Sequence, residues 1–128
     1  MDVYLALLGD FERKLGKGVT TGNQLDQVGR SVFGKEWGGV FARDGAWRQG
    51  KGFKIVNLDK KNQRGSHWVA VKGNIVYDSF GRANVLGPGL RDVDRDAEQI
   101  QREENCGQRC LAWLGTYKIL GVKAALSI

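Results

Sequence analysis

The chain has 128 residues, with 20 Lys and Arg against 14 Asp and Glu, two cysteines and a single histidine. That length supports one domain with a real core and is too short for two, and no apolar run approaches the ~18 residues a membrane-spanning helix needs. A net charge of +6 and a pI near 9.6 bias contacts toward polyanions such as nucleic acid without requiring them.

Val3, Leu7, Leu8, Phe11 and Leu15 recur at helical spacing, and Gly16 and Gly18 end that helix. Thr21 and Gln24 have the spacing of a capping box. The helix they open carries Leu25, Val28, Val32 and Phe33 on one face and closes at Gly34. Residues 34–52 are rich in Gly and Trp without a clear period, which predicts irregular structure with a short strand or turn near Val40-Phe41. Residues 53–58 read as a strand and 59–66 as a polar, basic loop that includes Lys60, Lys61 and Arg64. Residues 67–72 and 75–80 flank Gly73-Asn74, the clearest hairpin signal in the chain. A turn-rich loop over 81–89 holds the only proline, Pro88. Residues 92–104 are charged and expected to be partly helical. A last apolar helix covers 107–120 and stops at Gly121. The reading is α+β: a small, mostly antiparallel sheet, a cysteine-bearing helix packed against it, and N-terminal helices. The single domain, 1–128, divides into a helical part, 1–34, and a core, 38–121.

The hairpin carries the chemistry. A two-residue Gly73-Asn74 loop, with Gly supplying the positive φ of a type II′ turn, pairs Lys72 with Ile75, Val69 with Asp78 and His67 with Phe80. His67 and Asp78 then share a face as a diagonal pair, with α-carbons about 7–8 Å apart, within reach of a hydrogen bond. A three-residue loop would separate them. Taken alone, His67 reads as an ordinary half-buried strand histidine and Asp78 as a strand-end polar residue. Their shared face, with a cysteine available, favours chemistry.

That cysteine is Cys106, at the predicted start of the last helix. Free amides and the positive end of the helix dipole favour a thiolate there, and the same amides can face an oxyanion. Gly107 allows close backbone approach and leaves space beside the thiol. Cys110 lies one turn further on and reads as a packing residue. Gln99 and Gln101, seven and five residues before Cys106, are candidate amide donors that composition alone barely separates. Two cysteines and one histidine fall short of a zinc ligand set, so no metal is expected. Two cysteines do not form a disulfide framework, and residues 1–8 lack the basic segment and cleavage site of a secretory signal, so a reducing compartment is expected.

The order His67-Trp68, then Tyr77-Asp78-Ser79-Phe80-Gly81, then Gln99, then Cys106-Gly107 with Cys110 resembles the adenovirus-type (adenain-like) cysteine proteases, relatives of the SUMO-deconjugating proteases. The segments Gly65-Ser66-His67-Trp68-Val69-Ala70, Val40-Phe41-Ala42-Arg43-Asp44 and Ile55-Val56-Asn57-Leu58-Asp59 are similar to forms in large DNA viruses and Polinton-type elements. The likeness spans roughly residues 38–115. It implies the adenain-like fold, with Cys106 as nucleophile, His67 as general base, Asp78 as its orienting partner and Gln99 as oxyanion-hole donor, Gln101 being the fallback. Trp68 would shield the imidazole. The implied activity is peptide hydrolysis near small residues such as Gly, on capsid or core precursors, in a virion or in a host nucleus or cytoplasm. No cofactor is required by the residues, while the resemblance allows an activating peptide or DNA. The chain is much shorter than adenain, and its 11-residue step from His67 to Asp78 is shorter than in known relatives. Two other readings are a deubiquitinase or SUMO-like isopeptidase, and an inactive protease-like basic module that binds nucleic acid or a capsid partner. The oligomeric state is not encoded in any visible pattern.

Overall fold

A computed structural model describes residues 2–59, 67–93, 97–99 and 103–128. The basic loop at Lys60, Lys61 and Arg64, the Gly65-Ser66 segment and Gln101 lie outside the described residues.

The first helix, α1 (Val3–Leu15), starts where Asp2 accepts from the Leu5 N–H and stops at Gly16, whose φ is 81°. The second, α2 (Gly22–Phe33), opens on the reciprocal Thr21–Gln24 capping box and closes at Gly34. Leu25, Val28 and Phe33 of α2 are buried as the periodicity predicts, but Val32 is exposed, because the face turned to the core is narrower than the four-residue stripe. A short 3-10 turn over Gly34–Glu36 leads into β1 (Trp37–Phe41). The strands β2 (Phe53–Asn57), β3 (Trp68–Lys72), β4 (Ile75–Tyr77) and β5 (Arg91–Asp92) follow. The chain ends with α3 (Cys106–Leu120) and a short α4 (Val122–Leu126) that the apolar pattern did not announce.

The five strands lie in sequence order across one sheet. β2–β3 and β3–β4 are antiparallel, but β1–β2 and β4–β5 are parallel. The sheet is therefore mixed rather than mostly antiparallel. The reason is that residues 42–52 and 78–90 carry the chain back across the sheet before β2 and β5 begin, which a local reading cannot show. Of the stretch 92–104, expected to be partly helical, residues 94–96 and 100–102 lie outside the described residues, and the described ones form no helix. Arg91–Asp92 pair with β4 instead, through Arg91 N–H to Asn74 O at 2.7 Å and Val93 N–H to Val76 O at 3.0 Å.

Strand alternation divides the interior. Phe53, Ile55, Ala70, Ile75 and Tyr77 face the main core with α1, α2, α3 and α4. Val56, Val69, Val71 and Val76 face a second, smaller core closed by Trp47 and Leu86 from the loops. The loop over 42–52, irregular in sequence, is fixed by Lys54. Its buried ammonium donates to Trp47 O at 2.7 Å and Gly50 O at 2.6 Å. The first eleven residues of α3, Cys106–Thr116, are all buried, so the helix that begins at the cysteine runs through the middle of the domain. Among the described residues, no helix is long and apolar enough to cross a membrane.

Candidate active site

The hairpin register matches the two-residue loop: Lys72 faces Ile75, Val71 faces Val76 and Ala70 faces Tyr77. Of the two loop residues, Gly73 alone takes a positive φ, 61°, as a type II′ turn requires. His67, just before β3, and Asp78, just after β4, therefore meet at one end of the sheet. Their Nε2···Oδ1 separation is 2.7 Å, and both side chains are almost fully buried.

Asp78 is held from three sides. Besides His67, the Phe80 N–H donates to Oδ1 at 3.0 Å and Arg82 Nε donates to Oδ2 at 2.9 Å. Burial disfavours its charge, but the bonds from His67, Arg82 and the Phe80 amide outweigh that and lower its pKa to about 2. The imidazole stacks on Phe80, with centroids 4.7 Å apart, the residue the register places opposite His67. Burial works against the imidazolium too. The hydrogen bonds to Asp78 and to the Cys106 thiol, with their charges, prevail and raise the His67 pKa above its ordinary value. With Nε2 engaged by Asp78, Nδ1 is the nitrogen left for the thiol.

Cys106 is the first residue of α3 and is 6% exposed. The Trp68 backbone N–H donates to its Sγ at 3.4 Å. The structure thus brings together His67, Asp78 and Cys106 from three elements. The Trp68 indole turns to α2's entry, where Nε1 donates to Thr20 O at 3.2 Å, so the ring that lies on the imidazole is Phe80.

Gly107 allows the expected close approach but does not leave the expected space. A Cβ there would come within 2.2 Å of Thr20 Oγ1 and 2.9 Å of Leu25 Cδ2. The glycine seats the helix start against α2's entry; the direction a side chain would take is filled rather than open. Gln99 is buried next to the segment that follows Asp78, its N–H bonded to Ser79 O at 3.0 Å. Ser79 Oγ donates to its Oε1 at 2.5 Å and its Nε2 donates to Glu103 O at 2.6 Å. A second amide hydrogen remains on Nε2. Cys110 is fully buried, and burial pushes its thiol pKa well up, in keeping with a packing role.

Compared with known proteins, the chain finds no counterpart: no family model, no curated protein and no solved structure matches it. Among the described residues no three His, Cys, Asp or Glu side chains are grouped as a metal would require.

Arg82 is the site residue that sequence reasoning missed, and Phe80, placed opposite His67 by the register, was given no role at the site. The signal was present in the Asp78-Ser79-Phe80-Gly81-Arg82 run. The Gly81 N–H bonds back to Asp78 O at 2.8 Å, and this turn returns Arg82 to the carboxylate four residues earlier.

Proposed function

We propose that the protein is a cysteine endopeptidase with Cys106 as nucleophile, His67 as acid and base, and Asp78 as the group that orients the imidazole. The observation that carries the reading is the His67 Nε2–Asp78 Oδ1 hydrogen bond at 2.7 Å, with Cys106 Sγ held at 3.4 Å by the N–H of Trp68, the residue next to His67. A buried carboxylate with a depressed pKa beside an imidazole with a raised one favours the imidazolium that a thiolate needs as partner. The residue order and motifs similar to adenain-like proteases support the same assignment.

In this mechanism the Cys106 sulfur attacks the substrate carbonyl and a C–S bond forms. The Cys106 N–H, unpartnered within the helix, and the second Nε2 hydrogen of Gln99 serve the oxyanion. His67 delivers its proton to the leaving amine as the C–N bond breaks. Water, deprotonated by His67, then hydrolyses the thioester. The nearly buried thiol limits access, which suits small residues such as Gly at the cut. Capsid or core precursors are the proposed natural substrates, in a virion or an infected cell, with a peptide or DNA activator as a further element of the proposal.

The test is digestion of a peptide library read by mass spectrometry. The wild type is expected to cleave next to small residues, with Cys106→Ala and His67→Ala at least about 10³-fold slower. Full activity in Cys106→Ala would overturn the assignment. Preference for a ubiquitin-like substrate ending in Gly-Gly would move it to an isopeptidase.

A further inference from the structure

Asn105 is the N-cap of α3, yet its side chain makes no cap hydrogen bond. An asparagine at this position ordinarily turns its oxygen onto the N–H of the second or third helical residue, here Gly107 or Gln108. Asn105 Oδ1 accepts instead from Arg109 Nε at 3.2 Å. Its Nδ2 donates to Glu12 Oε2 at 3.2 Å and to Glu103 Oε2 at 3.4 Å. The Asn105 backbone, at φ −97° and ψ 27°, lies near the bridge region rather than in the extended region of a capping residue.

The group that draws this side chain away is itself fixed. Arg109 is buried, with Nη1 donating to Tyr4 Oη at 3.1 Å and Nη2 to Glu103 Oε2 at 3.2 Å. Tyr4 Oη in turn lies 2.6 Å from Tyr77 Oη on β4. Residues of α1, β4 and α3 thus converge on the residue beside the thiol. The arrangement forgoes a stabilising cap, and among the described residues no side chain accepts from the first-turn N–H groups in its place.

We propose that Glu12 and Arg109 are positioning residues for Cys106: they hold the Asn105 side chain off the helix start so that its N–H groups stay open to negative charge at the thiol and its substrate. The proposal rests on Cys106 being the nucleophile. It makes α1, remote from the hairpin in sequence, a part of the site.

The experiment measures the rate at which iodoacetamide alkylates Cys106 in the full chain, by mass spectrometry, with buried Cys110 as internal reference and a thermal midpoint for each variant. Glu12→Ala removes one of the two acceptors of Asn105 Nδ2 and so favours rotation of the side chain toward its own helix, against the remaining Arg109 and Glu103 bonds. It is expected to slow Cys106 about two- to fivefold, the scale of a helix-terminus effect, without lowering the midpoint. Adding Asn105→Gly to Glu12→Ala removes the new cap and is expected to raise the rate again. Arg109→Gln, at a more buried position, is expected to slow the thiol in the same direction. A clamp that only stabilises the fold would instead give further loss of rate and midpoint in the double variant, and that result overturns the proposal. An unchanged rate in Glu12→Ala beside a fast wild-type thiol also overturns it while leaving the nucleophile in place. If wild-type Cys106 reacts no faster than an unstructured cysteine peptide, the nucleophile assignment fails and the proposal with it.

Discussion

Asp78 shows what a single buried carboxylate does here. Its pKa of about 2 lies below the ordinary 3.8, so its charged form stabilises the fold at every pH above 3.8, and that contribution is lost as pH falls through 2. Asp78→Asn is therefore expected to cost about 2 kcal/mol at pH 7 in chemical denaturation, with the difference shrinking in acid. The imidazole runs the other way. Its raised pKa means the stabilisation from charged His67 is complete below about 6.5 and disappears as pH rises through the raised value. Activity that needs the imidazolium should thus have an alkaline limb above about pH 6.5, and Asp78→Asn should move that limb to lower pH. Gly107 makes a packing demand. Gly107→Ala is expected to destabilise by about 1–3 kcal/mol through the clash with Thr20, a loss that Thr20→Ala should partly relieve in a thermal scan. At this scale much was legible: one histidine, one hairpin and one helix-start cysteine left few combinations. Arg82 and the true surroundings of Gly107 were not, because both depend on chain segments that only the folded turn and α2 bring near.

At the scale of elements, the hairpin and the capping box hold the site's frame. Gly73 is the residue the register depends on. Gly73→Ala, at a φ of 61°, is expected to cost about 1–2 kcal/mol and to lower activity through the His67–Asp78 pair. Thr21→Ala removes one half of the capping box and should cost about 1 kcal/mol, measured by denaturant midpoint. Helix ends and the tight turn were readable because glycines and the Thr21–Gln24 pair act locally. The parallel partners were not. β5 is two residues long and is held by the carbonyls of Asn74, just before β4, and Val76, within it. The Trp47 region is set by a lysine seven residues later. Neither leaves a periodic trace.

At the scale of the molecule, α3 is the reference body. Trp113 lies flat on Tyr77, centroids 5.5 Å apart, and its indole N–H holds α4 through Ala125 O at 2.9 Å. Trp113→Ala is expected to cost about 3–5 kcal/mol, enough to unfold a marginal domain in a thermal melt. A helix buried this completely gives Cys106 a fixed position while the hairpin brings His67 to it. The central claim is that these groups form one coupled thiol–imidazole–carboxylate line. Because His67 is the only histidine, its ring can be followed without ambiguity by NMR titration. The account predicts a titration above pH 6.5 in the wild type that moves down in both Cys106→Ala and Asp78→Asn. A His67 that titrates at or below that value, and does not respond to Cys106→Ala, would contradict it.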